Sequence, residues 1–370
     1  MENRPVPLRY SRQTILPGFG VEGQQRLHAG RVLIVGAGGL GSPAALYLAA
    51  AGVGTIGLVD FDAVDVTNLQ RQVLYSTDEV GQLKLDAAAA RLRGINPDIT
   101  VVPHDAKLDA TNAMELVRAY DVVIDGTDNF PTRYLVNDAC VMTRTPNVYG
   151  SVFRFEGQVA VFGTPDGPCY RCLHPEPPPA GLIPNCAEAG VLGVLPGVIG
   201  TLQATEAIKL LTGMGEPLVG RLLLYDALRL RFREIALPRD RECPVCGDAP
   251  TIRTLVAYSD VCDMATETDM TVEELNRWRR DRTPHVLVDV REPSEAAISR
   301  IEGSHLVPLG SLAQRIDELP TDVPIVIHCK HGGRSARATT MLRAKGYDAR
   351  NLTGGIAAWA ERIDPSLARY

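Results

Sequence analysis

The sequence predicts an α/β fold in two parts: a mostly parallel sheet covered by helices, then a second, smaller α/β domain. Three observations carry that prediction. Short apolar runs alternate with helical stretches along the first part of the 370 residues. A Gly-x-Gly-x-x-Gly turn, Gly36 to Gly41, joins the first of those runs to an alanine-rich helix. The pattern then breaks after Cys246, passes through a polar, irregular stretch and resumes at a new helix start.

In chain order, Arg31-Val-Leu-Ile-Val35 reads as a buried parallel strand, because a parallel strand covered on both faces is apolar throughout. The helix Pro43 to Ala51 follows the glycine turn, and Thr55 to Asp60 is the next strand. Asp121 to Asp125 and Gln158 to Phe162 read as later strands, and Val198 to Thr212 as a core helix with apolar residues at helical spacing. Residues 175–184, with Pro177-Pro-Pro179, read as an irregular exposed loop. The boundaries expected are 1–247 for the first domain, 248–270 for a linker and 271–370 for the second domain. Thr271-Val-Glu-Glu274 has the spacing of a capping box and starts the second domain. His285 to Asp289, Ile325 to His328 and Gly354 to Trp359 continue it.

Composition excludes some classes. A hydrophobic content of 45% and a charged content of 22% are ordinary for a globular protein. A net charge of -6 with no long basic run argues against nonspecific nucleic-acid binding. The uncharged stretch Val32 to Val59 is long enough to raise the membrane question. It divides at its glycines and Pro43 into strand, turn, helix and strand, so a βαβ unit and no membrane span is expected. Met1 to Pro7 carries no apolar stretch of a signal peptide. Eight cysteines in such a chain fit a cytoplasmic protein that uses them for metal or catalysis.

The glycine turn lets backbone approach a phosphate closely, and the following helix N-terminus favours its negative charge. Asp60, ending the next strand, is placed to hydrogen-bond ribose hydroxyls, as in a Rossmann-like domain. NAD is the plain reading of that pattern alone. Asp62-Ala-Val-Asp65, Asn68-Leu-Gln-Arg-Gln72, Lys84 and Asp128-Asn129 point elsewhere, since a dehydrogenase needs none of them. Arg71 and Lys84 can neutralise a triphosphate, and Asp128 can hold its magnesium.

Arg9-Tyr-Ser-Arg-Gln13, Gly36 to Gly41, Asn68 to Gln72, Asp125-Gly-Thr-Asp-Asn129 and Cys169-Tyr-Arg-Cys172 together resemble the MoeB/ThiF family, relatives of the ubiquitin-activating enzymes. The resemblance runs from about Leu8 to Gly247. It implies use of ATP and Mg2+ to adenylate the C-terminal glycine of a small ubiquitin-like sulfur carrier protein, of the MoaD/ThiS kind, ending in Gly-Gly. It implies that Gly39, Asp60, Asn68, Arg71, Gln72, Lys84 and Asp128 contact ATP or its metal. Arg71 and Asp128 are the catalytic candidates among them. It further implies that Arg12 serves the neighbouring active site across a homodimer.

Cys169/Cys172 and Cys243/Cys246 have the paired spacing of a tetrahedral Zn2+ site. Four thiolates leave no open coordination position, so the metal is expected to be structural. Cys186 corresponds to a loop cysteine of the family that joins the carrier covalently in some members and is dispensable in others. Either catalysis or an inert buried thiol fits it.

Cys329 follows an apolar run and opens the loop Lys330-His-Gly-Gly-Arg-Ser335. A loop of that length can curl its amides toward the sulfur, beside Arg334 and a helix N-terminus, and stabilise a thiolate or persulfide. The Cys-x₄-Arg spacing is one residue shorter than in a tyrosine-phosphatase loop, which suits sulfur better than phosphate. With Val288-Asp-Val-Arg-Glu292, Gly303-Ser-His-Leu306 and Gly354 to Trp359, residues 271–370 resemble a rhodanese sulfurtransferase domain. The resemblance makes Asp289 and Arg291 scaffold residues and Cys329 the catalytic one.

The expected protein is therefore an adenylyltransferase fused to a sulfurtransferase. Its Cys329 persulfide, charged by thiosulfate or a cysteine desulfurase, would convert the adenylated carrier to a thiocarboxylate for molybdopterin or another sulfur-containing product. The alternative is a conjugation activator or scaffold whose rhodanese domain only recruits partners. An NAD oxidoreductase explains neither the cysteine pairs nor Asn68 to Gln72.

Overall fold

A computed structural model describes residues 7–177, 190–256 and 269–369. They fall into two compact units, one on each side of residues 257–268. Among the described residues no helix is long and apolar enough to cross a membrane.

The first unit is an eight-stranded sheet. Its strands are β1 (Arg31–Val35), β2 (Thr55–Asp60), β3 (Thr100–Asp105), β4 (Val122–Asp125), β5 (Asn147–Phe153), β6 (Glu156–Phe162), β7 (Arg221–Asp226) and β8 (Arg231–Ala236). Their order is β3-β2-β1-β4-β5-β6-β7-β8. The first five pair in parallel, and β6, β7 and β8 add in antiparallel fashion. The expected mostly parallel sheet is therefore present, but Gln158 to Phe162 lies in its antiparallel extension. Chain order reverses direction between β1 and β4, the switch point at which open α/β sheets bind ligands beyond their strand ends.

The helices Gly41–Ala51 and Val194–Thr212 pack over one face of this sheet, where Leu48, Ile56, Ile124 and Ala204 are buried together. The second helix begins four residues before the expected Val198. The helix Phe130–Thr143 covers the opposite face through Leu135, Val136 and Ala139.

The second unit is a five-stranded parallel sheet. Its strands are β9 (Asp269–Met270), β10 (Val286–Asp289), β11 (His305–Leu306), β12 (Ile325–His328) and β13 (Ala349–Leu352), in the order β11-β10-β12-β13-β9. The capping box is formed: Glu274 N–H donates to Thr271 Oγ1 at 3.2 Å, and Thr271 N–H to Glu274 Oε2 at 2.9 Å.

Asp289 and Arg291 form a fully buried ion pair, with Arg291 Nη2 2.6 Å from Asp289 Oδ2. Arg291 also donates to the carbonyl of Ser299 at 2.9 Å. Burial opposes ionisation of Asp289, but hydrogen bonds from Arg291 outweigh it and hold the carboxyl below its ordinary range. The pair ties the end of β10 to the following helix, Pro293–Ile298, which agrees with a scaffold reading.

His328, at the end of β12, is fully buried and neither ring nitrogen has a hydrogen-bond partner among the described residues. Burial pushes its pKa down to about 4. An exposed histidine in the unfolded chain titrates near ~6.5. Between those values the unfolded chain binds the extra proton, so stability falls as pH drops from about 6.5 to about 4, by up to about 3 kcal/mol. Chemical denaturation of the second unit's transition across that window checks this. His328→Phe is expected to lose most of the slope, and an unchanged slope would reject His328 as its source.

Candidate functional site

The glycine turn sits at the β1/β4 switch point. Gly36 has φ +89, a left-handed conformation that side chains rarely adopt. A Cβ there would lie 3.0 Å from the carbonyl of Gly126, which follows β4. A Cβ on Gly41 would fall 2.0 Å from the Gly36 carbonyl, so only glycine lets the helix start so close to the turn. Gly38 is different, since a Cβ there would meet only Gln72 Nε2 at 3.6 Å.

Asp60 holds the turn from the next strand. Its Oδ2 accepts the Ala37 N–H at 2.8 Å, and its Oδ1 accepts the N–H groups of Phe61 and Asp62, each at 2.9 Å. Tyr75 O–H donates to the Ala37 carbonyl at 2.8 Å, fixing the same residue from the other side. The structure therefore uses Asp60 first as a backbone anchor.

Residues 68–72 lie against this turn. The Cγ of Arg71 lies 3.5 Å from where a Gly39 Cβ would be, and its Nη1 donates to the Thr67 carbonyl at 2.9 Å. Gln72 is buried, and its Oε1 has no hydrogen-bond partner among the described residues. Asn68 Nδ2 makes only a long bond, 3.4 Å, to Thr67 Oγ1. Lys84 is 5% exposed, with Nζ 2.8 Å from Asp62 and 4.0 Å from Asp60. That near-complete burial of an ammonium requires the two carboxylates.

Asp128 is exposed and lies three residues beyond the end of β4. Asn129 beside it caps the helix Phe130–Thr143, its side chain accepting the Thr132 N–H at 2.9 Å. Arg12 is exposed on the short helix Ser11–Thr14. Cys186 lies outside the described residues.

A buried pair was missed at sequence level. Asp125 Oδ2 and Arg133 Nε are 3.8 Å apart, and neither has a hydrogen-bond partner among the described residues. Arg133 also donates to the Thr127 carbonyl at 3.0 Å and lies over the rings of Tyr149 and Tyr170. Asp125 opens the Asp125-Gly-Thr-Asp-Asn129 motif, but nothing in its spacing pairs it with Arg133.

The four paired cysteines converge. Their sulfurs all lie within 4.8 Å of one another, with Cys169 and Cys243 3.5 Å apart and Cys172 and Cys246 3.4 Å apart. A tetrahedral zinc with ~2.3 Å Zn–S bonds sets sulfurs ~3.8 Å apart, so the donor set fits the metal. A disulfide needs ~2.05 Å, and these thiols are unbonded. The N–H groups of Cys169 and Asp240 each point at Cys172 Sγ at 3.4 Å, the surroundings of a thiolate ligand.

In the second unit, Cys329 follows β12 and is fully buried. Gly332, with φ +109, turns its N–H onto Cys329 Sγ at 3.1 Å. The helix Gly333–Arg343 starts immediately after. Arg334, expected next to this loop, is tied to a carboxylate. Its two terminal nitrogens donate to the Glu295 carboxylate at 2.6 and 2.7 Å, a bidentate pair that holds the loop against the helix Pro293–Ile298.

Known families and relatives match both units of the chain. The ThiF family matches residues 10–245, and the rhodanese-like domain matches residues 271–362. The probable adenylyltransferase/sulfurtransferase MoeZ of Mycobacterium tuberculosis is 46% identical over 100% of this chain and 96% of its own length. Adenylyltransferase and sulfurtransferase MOCS3 of Sus scrofa is 43% identical over 98% of this chain and 87% of its own. The sulfur carrier protein adenylyltransferase of Thermus thermophilus is 55% identical over 69% of this chain and 96% of its own. Among solved structures, E. coli MccB with ATP superposes with a TM-score of 0.58 at 25% identity, covering 66% of this chain and 75% of that one. A glycine turn at a sheet's switch point, a buried cysteine under a glycine amide and relatives spanning the whole chain lead to one conclusion: this chain belongs to the ThiF family and is an adenylyltransferase and sulfurtransferase with a fused rhodanese-like domain.

Proposed function

We propose that the first unit adenylates the C-terminal glycine of a ubiquitin-like sulfur carrier protein and the second supplies the sulfur. The observation that carries the reading is the Gly332 N–H aimed at Cys329 Sγ in a chain that also holds a complete nucleotide turn. Gly39, Asn68, Arg71, Gln72 and Lys84 would contact ATP, Arg71 and Lys84 neutralising its phosphates, and Asp60 would reach the ribose. Asp128 would hold magnesium, which neutralises phosphate charge. Cys169, Cys172, Cys243 and Cys246 would hold a structural zinc. The functional boundaries are 1–247, 248–270 and 271–370, and the protein works in the cytoplasm. It acts as a homodimer in which Arg12 reaches the neighbouring nucleotide.

The carrier carboxylate attacks the α-phosphate of ATP and releases pyrophosphate. The Cys329 thiolate takes the outer sulfur of thiosulfate and releases sulfite; a cysteine desulfurase is the other donor class. The resulting persulfide attacks the acyl-adenylate carbonyl and expels AMP, leaving an acyl disulfide. A second thiol, from Cys186 or from solution, attacks Cys329 Sγ. Its two electrons release the carrier thiocarboxylate and leave a disulfide on Cys329. The product serves molybdopterin or another sulfur-containing compound.

ATP–pyrophosphate exchange tests the first half. It is expected only with a carrier ending in Gly-Gly, and NAD binding without ATP binding would reject the reading. Metal analysis tests the zinc. One zinc per chain is expected, and Cys172→Ser should lower the unfolding midpoint of the first unit, since structural zinc is worth on the order of 10 kcal/mol in small domains. Zinc-free protein, or a variant melting like wild type, would remove the site.

A further inference from the structure

Behind the Cys329 loop, two buried polar side chains, Ser335 and Asn351, link the sulfur to Asp269 on strand β9. Cys329 Sγ lies 3.5 Å from Ser335 Oγ. Ser335 Oγ is 2.7 Å from Asn351 Oδ1 and 3.0 Å from the Gly332 carbonyl. Asn351 Nδ2 donates to Asp269 Oδ1 at 3.1 Å, across the β13–β9 pairing in which these two residues stand opposite each other. Ser335 is fully buried and Asn351 is 7% exposed.

Ser335 has one proton and three neighbours that can take it. An ionised carboxylate only accepts, so Asp269 claims the amide end of Asn351 and turns its carbonyl oxygen toward Ser335. The shortest of the three contacts is that one, and it draws the hydroxyl proton away from the sulfur. Ionisation of Cys329 would call the proton back, because a bond to an anion is the stronger. Asn351 Oδ1 would then be left buried without a donor, a state that carries the full desolvation penalty.

We propose that Asn351, oriented by Asp269, is a positioning residue that withholds the Ser335 proton from Cys329 and leaves the unloaded sulfur one side-chain donor short. In a persulfide the charge moves to the outer sulfur, one bond beyond the atom Ser335 touches. The restraint therefore weighs on the empty loop and favours the loaded one. This rests on the reading of Cys329 as sulfur acceptor. The charged and titratable groups around it are Lys330, His331 and Arg334 of the loop, Glu295 paired with Arg334, Asp269, and His328 with Asp289 and Arg291 at the end of the adjacent strands. Asn351→Leu removes none of these charges, and takes from Asp269 only the amide donor.

Iodoacetamide alkylation of Cys329 in the full chain, followed by peptide mass spectrometry across pH, tests the proposal. Asn351→Leu is expected to lower the midpoint by about one pH unit, roughly tenfold in reactive thiolate below it. In a Ser335→Ala background the same substitution should change nothing. If Asn351→Leu does not fold, Asp269→Ala and Asp269→Asn remove the same charge, but only the alanine loses the acceptor that orients Asn351; its midpoint should be the lower. An unchanged midpoint in Asn351→Leu, a shift that survives Ser335→Ala, or equal midpoints for the two Asp269 variants would overturn the proposal. Wild-type protein that takes no sulfur from thiosulfate onto Cys329 would instead reject the acceptor reading, which the midpoints do not decide.

Discussion

Cys329→Ala is expected to abolish thiosulfate sulfurtransferase activity while ATP–pyrophosphate exchange continues at the wild-type rate. The sulfur is the atom that Gly332 N–H addresses, and alanine leaves that donor with nothing to stabilise. Removing a nucleophile removes the covalent route altogether. Exchange survives because every residue assigned to ATP lies in the first unit, and the Cys329 loop is held within the second by the Arg334–Glu295 pair and by β12. The substitution deletes one sulfur from a packed core, so the fold should persist. Mass spectrometry of the thiosulfate-treated wild type should find one added sulfur on Cys329. Residual sulfurtransferase activity near wild type would show that another thiol accepts the sulfur.

Asp128→Ala is expected to lower ATP–pyrophosphate exchange by roughly a thousandfold, the equivalent of about 4 kcal/mol, because metal-borne stabilisation of phosphate charge is of that order. Asp128 is exposed, and the adjacent helix is capped by Asn129. Its loss should therefore leave the melting temperature unchanged. Unchanged exchange would move the metal to another ligand. The buried Asp125 is a poor substitute, since burial pushes its carboxyl up against the opposing charge of Arg133.

Much of the architecture was legible because buried parallel strands are apolar without interruption. Val32 to Val35 and Ile56 to Val59 leave little alternative, and the glycines between them specify the turn. The antiparallel extension was less legible. β8 is exposed along its whole length and mixes charge with Phe232 and Ile235, so no core-facing period marks it. The cysteine quartet was readable from spacing because each pair is local, and only the meeting of the pairs needed the fold.

Contacts across the sheets were not readable. Arg334 and Glu295 are 39 residues apart and Asn351 and Asp269 are 82 apart. A long-range partner is set by register, which a single sequence does not display. The Arg334–Glu295 pair joins two helices rather than two strands, and no local spacing marks it either. Asp60 and Lys84 were singled out, but their anchoring of Ala37 and their mutual pairing appear only in three dimensions.

The central claim is that one chain both activates the carrier and loads it with sulfur through Cys329. Intact-mass analysis of a Gly-Gly-ended carrier, incubated with ATP, magnesium, thiosulfate, a reducing thiol and the full chain, tests it most directly. The account predicts a carrier in which one sulfur has replaced one carboxyl oxygen, with the wild type but not with Cys329→Ala, and none without ATP. Thiocarboxylate formed at the wild-type rate by Cys329→Ala, with thiosulfate as sole donor, would contradict it and make the rhodanese domain a recruiting module.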